Sequence, residues 1–500
     1  MWLRGCGTPV RGRSSAASPR GRPPTRLPRL RPAHPTYVFS VYSSFFSARR
    51  NETIRPLCPG CRERDAEIAK LRERLGQLEQ RLAEVERAGH RQAAPFRRPE
   101  KQRKADADKR RPGREPGHSG SYRPRPPVVD ESVQVPLERC PHCRGPVTDV
   151  QSVEQVIEDI PEVRIRRLRL TTYKGRCACC GLVRSTHPEQ VSTAVGAAGT
   201  HLGRNALALA ADLNKQFGLT MRKTCRILHE HFGLSLTPGG LSQALVRIAH
   251  RLETPYQELC QAVRRSSVIH ADETSWWLEN RSAWLWVFTQ PDLTLYPIDN
   301  RSQEVIRRVL GDDFAGVLVS DCLASYDPHP GRKGKCCAHH LKALSEAQQL
   351  APQSTFLANI RRFFNTALTL YRIRDVMAEA EYGLRVGYLQ QRLDELLAPT
   401  YWLRDEERIA HRLRKQRPQL LTFLERWDVE PTNNRAEREL RPAVITRKLS
   451  CGNKTHNGKF AFEVLASLAA TSRLQGRRFT DLVSRGVALG LSPPPLFTGS

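Results

Sequence analysis

The architecture of this chain follows from five successive stretches: SSVIHADETSWW (266–277), SAWLWVFTQ (282–290), LTLYPID (293–299), SQEVIRRVLG (302–311) and AGVLVSDCLASY (315–326). The first three and the last are rich in β-branched and aromatic residues, which favour strands. The fourth spaces its apolar residues as a helix does. The order strand, strand, strand, helix, strand predicts an α/β domain built on a mixed sheet.

Two aspartates occupy comparable places in this pattern. Asp272 lies late in the first stretch, and Asp321 lies at the carboxyl end of the last strand. If those strands are neighbours, the two carboxylates converge on one edge of the sheet and can share divalent metal ions. The spacing is equally compatible with two unrelated strand-end aspartates. A two-metal site would also need a third acid.

The candidate third acid lies in PTNNRAERELRPAVITRK, from Pro431 to Lys448. One helical turn could present Glu437 to the metals, while basic neighbours hold a phosphate backbone nearby. The alternative is an ordinary surface helix with i,i+4 ion pairs. The residues of this segment assigned to DNA contact are Asn434, Arg438, Arg441, Arg447 and Lys448.

Charge points to a polyanionic partner. The 500 residues carry a formal net charge of +29 and have a pI near 10.1, and Lys and Arg gain affinity by releasing counterions from phosphates. The alternative is a soluble protein with an unusually basic surface. No apolar run approaches the roughly 20 residues of a membrane span. We expect a cytoplasmic, nucleoid-associated bacterial protein.

Four of the 14 cysteines form a CxxC…CxxC array, Cys140 and Cys143 with Cys177 and Cys180. Tetrahedral Zn²⁺ takes two ligands from each such pair. The intervening segment, including PEVRIRRLRLTTYKGRC, predicts strands, so we expect a structural zinc ribbon over 131–188 in a reducing compartment. Cys179 could replace Cys177 or Cys180 as a ligand.

The amino-terminal part divides into three segments. Residues 1–54 are Arg-rich and Pro-punctuated, which fits either an organelle transit peptide or, as we favour, an over-extended start that is not ordered. Residues 55–90 carry an apolar heptad seam, which predicts a coiled-coil homodimer or higher oligomer, or alternatively one amphipathic helix on its own domain. Residues 91–130 form a basic disordered linker that is either a solvated spacer or, through Arg114 in RRPGREPGH, a minor-groove contact. The seam residues are Ile68, Leu71, Leu75, Leu78, Leu82 and Val85, and Cys58 and Cys61 before them stay unassigned.

Residues 189–262 predict a helical DNA-binding region. An apolar helical pattern breaks at Gly233 and resumes with Thr237 as N-cap and Pro238 at the first helical position. Helix, short turn, helix is the outline of a helix-turn-helix. Small helical domains share this outline without touching DNA, and Gly239-Gly240 offers a poor surface for reading bases.

Four segments, HADETSWW, VSDCLASY, CCAHHLKAL and above all PTNNRAERELRPAVITRK, resemble the D-D-E transposases of the insertion sequence sixty-six family. The likeness runs from about residue 55 to 476. It implies a ribonuclease H-like catalytic domain over 263–476, with a helical insertion at about 343–428 and a C-terminal tail at 477–500. It also implies that Asp272, Asp321 and Glu437 hold two Mg²⁺ ions. The segment AHHLKAL departs from the family pattern, which weakens the transfer of roles to His339, His340 and Lys342.

The resemblance implies metal-dependent cleavage at the ends of an insertion sequence, followed by strand transfer into target DNA. The partners would be the terminal inverted repeats, the target DNA and a second copy of the chain. Accessory transposition proteins could also take part. Two other functions fit the same residues. One is a nuclease of the same fold that cuts without joining, and the other is a zinc-dependent DNA-binding protein derived from an inactive transposase.

Overall fold

The structure, a computed structural model, has two compact units, Met1–Ser132 and Val133–Ser500. In the first unit, residues 66–71, 73–74 and 76–77 are helical. The seam residues Ile68 and Leu71 are both exposed there. The coiled coil stays a prediction, because the other seam positions lie outside the described residues. Arg114, Cys58 and Cys61 also lie outside the described residues. The described residues are 66–71, 73–74, 76–77, 119–120, 123–194, 199–493 and 495–497.

The second unit is a mixed α/β assembly. Its strands are β1 (Lys174–Cys177), β2 (Gly181–Arg184), β3 (Val268–Leu278), β4 (Arg281–Gln290), β5 (Leu293–Leu295), β6 (Ile298–Asp299), β7 (Val317–Ser320) and β8 (Arg332–Lys335). Its helices are α1 (Arg204–Lys215), α2 (Met221–Phe232), α3 (Pro238–Arg251), α4 (Glu253–Arg264), α5 (Gln303–Leu310), α6 (Cys337–Leu350), α7 (Thr355–Ile373), α8 (Glu379–Leu397), α9 (Arg404–Gln416), α10 (Thr422–Glu425), α11 (Asn434–Ser450), α12 (His456–Leu474) and α13 (Phe479–Val487). Within the described residues, no helix is both long and apolar enough to cross a membrane.

The main sheet has the order β5-β4-β3-β7-β8, with β6 also paired to β4. β3 and β4 are antiparallel, whereas β3, β7 and β8 run parallel to one another. The predicted order of strand, strand, strand, helix, strand is therefore confirmed. The mixed sheet with its many helices is compatible with a ribonuclease H-like domain.

Helices cover both faces of this sheet. Alternate residues of a strand point to opposite faces, so Ile269 and Ala271 of β3 join the core that contains α1 to α5, α12 and α13. Val268 of β3 instead packs with the helical insertion, α6 to α10. Further along the same face, Trp276 packs against α11. The insertion and α11 thus lie on the face to which Asp272 also belongs.

The helical region shares its core with the sheet. Leu228 and Leu245, of α2 and α3, belong to the same apolar cluster as Ile269. The predicted break is confirmed, since Gly233 ends α2 with a φ of 63° and Thr237 Oγ1 accepts a hydrogen bond from the Gly240 amide at 3.0 Å. Residues 204–264 therefore pack as part of the domain that contains the main sheet.

The segment expected to be a C-terminal tail contains a buried helix. Phe479, Leu482 and Val483 of α13 lie in the core, and Ser484 Oγ donates to Asn205 Oδ1 of α1 at 2.8 Å. The resemblance to the family ends near residue 476, so it gave no guidance here. The apolar face of α13 is nevertheless buried against α1, which makes this segment part of the domain.

Around the CxxC pairs, the structure forms less sheet than the sequence predicts. Within 161–177, Lys174–Cys177 is the one described strand, and it pairs with Gly181–Arg184 across the second cysteine pair. Val163 and Leu168 are exposed, so their apolar side chains have no packing surface that would stabilise a further strand.

Gly316 lies just before β7, where the chain passes very close to the start of β3. Substituting this glycine tests that close approach. A Cβ there would lie 2.3 Å from the Ser266 carbonyl oxygen and 2.9 Å from that of Ser267. We expect Gly316→Ala to destabilise the fold by about 1–3 kcal/mol in thermal or denaturant unfolding. Gly387→Ala is the control, because this exposed glycine of α8 has open space and alanine favours helices by ~0.5–1 kcal/mol. Equal stabilities for the two variants would contradict the β3–β7 packing.

Candidate active site

Sheet register brings Asp272 and Asp321 to the same level. His270 of β3 pairs with Val319 of the parallel β7, and two further residues along each strand are Asp272 and Asp321. Neighbouring strands lie about 4.8 Å apart and paired residues share a face. Asp272 Oδ1 accepts the Glu273 amide and Asp321 Oδ1 accepts the Leu323 amide, each at 2.9 Å. The two carboxylates are therefore neighbours with fixed orientations.

The same register reaches a third strand. Ser320 of β7 pairs with Lys335 of β8, and the next residues, Asp321 and Cys336, continue this order, with the Cys336 amide donating to the Ser320 carbonyl at 3.0 Å. Asp272, in the middle of β3, thus lies beside Asp321 and Cys336, which directly follow the carboxyl ends of β7 and β8. The sequence alone gives no signal for Cys336, because its place beside the aspartates depends on the strand order.

Glu437 approaches from α11. Ala436, Leu440 and Ala443 form the buried stripe of this helix, and Glu437 lies in its first turn, beside that stripe and exposed. The charges of Asp321 and Glu437 both raise the pKa of Asp272, so each of these two carboxylates lies within electrostatic range of Asp272. The two aspartates are thus neighbours and Glu437 lies within electrostatic range of Asp272, but the ligand atoms of the three acids do not form one compact cluster among the described residues.

Burial and like charge act together on Asp272. The pKa of Asp272 is raised to about 7, and burial is the largest cause. The carboxylates of Glu273, Asp321 and Glu437 also raise this pKa, whereas the hydrogen bond from the Glu273 amide lowers it. A buried carboxylate near other carboxylates favours its neutral form. The site therefore holds excess negative charge.

Glu273, the immediate neighbour of Asp272, belongs to the opposite face of β3. Its Oε1 accepts from Arg301 Nη2 at 2.8 Å and its Oε2 accepts from the Tyr326 hydroxyl at 2.7 Å. Burial raises the pKa of Glu273 and these two donors lower it. One oxygen thus joins β3 to the segment before α5, through Arg301, and the other joins it to the segment after β7, through Tyr326.

Glu439 is likewise separated from Glu437. Two residues on a helix of 3.6 residues per turn differ by about 200° in direction, so Glu439 lies on the far side of α11. It is buried and forms an ion pair with Arg473 of α12. Glu439 therefore stabilises helix packing and does not approach the aspartates.

Asn433 is the positioning residue that sequence reasoning missed. Its side chain is buried, Nδ2 donates to the Ala271 carbonyl at 2.7 Å, and its backbone amide donates to Cys336 Sγ at 3.1 Å. Burial lowers the pKa of His270 to about 4, so His270 is neutral and its Nδ1–H donates to Asn433 Oδ1 at 3.3 Å. These contacts hold the start of α11 against β3, next to Asp272. The pair Asn433-Asn434 gives no sequence signal that separates the buried residue from the exposed one.

The described residues contain one cluster of three metal-ligating side chains. Ligand atoms of Cys336, His339 and Glu437 all lie within 4.8 Å of one another. Burial raises the pKa of the Cys336 thiol, and the amides of Asn433, His339 and Ala338 lower it. Glu437 thus has neighbours on two sides, the aspartates and this Cys–His pair.

The ribbon cysteines form two separate local pairs. Backbone amides of Cys143 and His142 point to Cys140 Sγ and lower its pKa. The amides of Cys180 and Cys179 do the same for Cys177. In the described part of the chain, these cysteines do not form a cluster of three or more ligands. The zinc ribbon stays a prediction.

One predicted phosphate-binding residue has a role within the fold. Arg447 Nη1 donates to Thr274 Oγ1 at 3.1 Å and to Ser275 Oγ at 2.5 Å, so it fastens α11 to β3. The other predicted DNA-contact residues of α11, which are Asn434, Arg438, Arg441 and Lys448, are exposed.

Comparison with known proteins adds two findings. The family described as Transposase IS66 family matches residues 199–460. A relative named "Uncharacterized protein y4jO", from Sinorhizobium fredii (strain NBRC 101917 / NGR234), is 24% identical over 184 residues, which are 37% of this chain and 54% of the relative. The chain thus spans about half the length of that curated relative.

The raised pKa of Asp272 predicts a pH-dependent stability in metal-free buffer. A folded-state pKa of about 7, above the ordinary value of 3.8, gives stabilisation that is complete below the ordinary value and is lost as pH rises through 7. Asp272→Asn mimics the neutral acid, so its melting temperature should exceed that of the unchanged chain by more at about pH 8 than at about pH 5. The exposed Asp313→Asn is the control. If the difference in melting temperature between Asp272→Asn and the unchanged chain does not vary with pH, the buried, like-charged environment assigned to Asp272 is wrong.

Proposed function

This chain belongs to the IS66 transposase family, and from that premise we propose that it cleaves DNA at the ends of an insertion sequence and joins those ends to target DNA. The convergence of Asp272, Asp321 and Glu437 supports this function. Oxygen-rich sites of this kind suit divalent cations and phosphodiester chemistry.

The three carboxylates fit Mg²⁺. Among the described residues, Oδ2 of Asp272 and of Asp321 receives no hydrogen bond, although each Oδ1 accepts one from the backbone. The excess negative charge that raises the pKa of Asp272 would be relieved by a bound cation. When bound, two Mg²⁺ ions would activate the attacking hydroxyl and stabilise the leaving oxygen.

The protein's own side chains position the reacting groups. Exposed Asn434, Arg438, Arg441 and Lys448 would attract the phosphate backbone along α11, beside the acids. Water would attack phosphorus at the end of the element, and the broken bond would leave a free 3′-hydroxyl. That hydroxyl would then attack a target phosphodiester and form the joined strand, with the displaced target 3′-oxygen taking a proton.

The amino-terminal segments would bring the DNA ends together. We propose that Cys140, Cys143, Cys177 and Cys180 hold a structural Zn²⁺ in a ribbon, and that this ribbon, Arg114 of the linker and the helical region bind the terminal repeats. Because α2 and α3 share an apolar core with the main sheet, DNA bound there would keep a fixed position relative to the acids. The coiled coil would pair two chains.

Substituting the acids tests the proposal. Asp272→Asn, Asp321→Asn and Glu437→Gln should each lower Mg²⁺-dependent cleavage of element ends by at least ~100-fold, because each removes charge at the reacting centre. Binding to the ends should persist, since phosphate contacts come from other residues. Gel assays with labelled ends would measure cleavage, joining and binding separately. Cleavage without joined products in the unchanged chain would instead support a nuclease.

Glu439→Gln is the matched control on the same helix. Glu439 faces Arg473, so its loss should cost about 1–3 kcal/mol of stability with little change in cleavage. The proposed triad would be wrong if Glu439→Gln stopped cleavage while Glu437→Gln preserved it.

Pairing is tested by deleting residues 55–90. The shortened chain should bind a single end but lose coordinated processing of two ends, because linkage raises the effective concentration of the second site. Leu71→Glu, at an exposed seam position, should reproduce the defect, whereas Lys70→Glu, outside the seam, should not. Light scattering would report the oligomeric state, and normal two-end processing by the shortened chain would place dimerisation elsewhere.

A further inference from the structure

We propose that Cys336, His339 and Glu437 form a Zn²⁺-binding site beside the aspartate pair. One ligand atom from each residue lies within 4.8 Å of the other two. A thiolate, an imidazole and a carboxylate are the three ligand types that proteins offer to zinc, and three protein ligands leave a fourth tetrahedral position for water or another oxygen. Neither Cys336 nor His339 takes part in the proposed cleavage.

The backbone around Cys336 favours a metal-bound thiolate. Its Sγ accepts the Asn433 amide at 3.1 Å, and the amides of Ala338 and His339 also point to it. Hydrogen bonds of this kind stabilise and orient a ligating sulfur. Cys336 is fully buried, and a thiolate and a carboxylate bound to Zn²⁺ with a neutral imidazole carry no net charge, which suits that burial.

His339 supplies an unsatisfied nitrogen. Its Nδ1 is buried and, within the described part of the chain, has no hydrogen-bond partner. Buried polar atoms without partners are rare and costly, and metal binding would satisfy an imidazole of this kind. The residue lies in the first turn of α6, one turn from Cys336 at the N-cap, so the two ligands are held by one short segment.

The neighbouring Cys337 and His340 are excluded from the cluster. Cys337 packs in the apolar core of the insertion, and His340 Nε2 lies 3.7 Å from Cys322 Sγ while its ring stacks on Phe364. Within the run CCAHH, Cys336 and His339 therefore face the cluster, whereas Cys337 and His340, one residue after each, have other surroundings. This provides a control substitution only one residue from a proposed ligand.

Ligand type separates this site from the aspartate pair. Thiolate and imidazole favour Zn²⁺, whereas carboxylates alone suit Mg²⁺. Glu437 lies within reach of both, so a zinc ion at Cys336 and His339 would lie at the border of the proposed catalytic centre. The zinc assignment itself does not depend on transposase activity.

Metal content of the full-length protein tests the site. After dialysis, His339→Gln and Cys336→Ser should each hold one Zn²⁺ fewer per chain than the unchanged protein, while Cys337→Ser should match it. With Co²⁺ in place of Zn²⁺, Cys336→Ser should lose part of the sulfur-to-cobalt charge-transfer absorption. Zinc at the amino-terminal cysteines adds the same background to every variant. His339→Gln, at a half-buried position, keeps the test valid if replacement of the buried Cys336 prevents folding.

Equal zinc content in the unchanged chain and His339→Gln would overturn the proposed site. Asp272→Asn distinguishes this result from a failure of the proposed function, because it should lose cleavage and keep its zinc. If Asp272→Asn still cleaves DNA while His339→Gln loses zinc, the zinc site stands and the catalytic assignment falls. Loss of zinc in Cys337→Ser to the same extent as in His339→Gln would show that the segment merely unfolds, and would also overturn the site.

Discussion

Asn433 joins three parts of the chain that are distant in sequence. Its side chain bonds to β3 through Ala271 and His270, and its amide bonds to the sulfur of Cys336 at the end of β8. Each partner is buried, so an unmade bond here would leave a polar atom without water. The position of Glu437, one turn further along α11, depends on this anchor. The sheet alone places two acids, and the buried amide places the third.

The geometry of a strand or a helix gives acids that are close in sequence different roles. One acid of each pair faces the candidate site, and the other stabilises the packing of the fold. The two-residue period of β3 sends Asp272 and Glu273 to opposite faces, where Glu273 bonds to Arg301 and Tyr326. The turn of α11 similarly separates Glu437 from Glu439. In both pairs one acid, Glu273 or Glu439, is bonded to donor side chains within the fold. The other acid, Asp272 or Glu437, lies near other carboxylates.

Much of the strand pattern was accessible from sequence, since β-branched runs and a helical spacing marked β3, β4, β7 and α5. The acids could be proposed because two lie in or directly after predicted strands, Asp272 within β3 and Asp321 after β7, and the third lies in a family-like segment. The Cys336–His339–Glu437 cluster could not, because it depends on the register of β7 with β8 and on a helix about 100 residues later. The helix α13 was missed for a different reason. The family resemblance ends near residue 476, before this helix, and its packing partner α1 lies far earlier in the chain.

The contact between α13 and α1 also affects how the chain folds during its synthesis. Ser484 bonds to Asn205 across 279 positions, and Phe479, Leu482 and Val483 complete the core that covers one face of the sheet. Contacts so distant in sequence slow folding. On the ribosome, α1 must wait until residues 479–487 have emerged before its apolar side is covered. A chain halted between α12 and α13 would carry all three acids and still expose part of its core, which would direct it to aggregation or proteolysis.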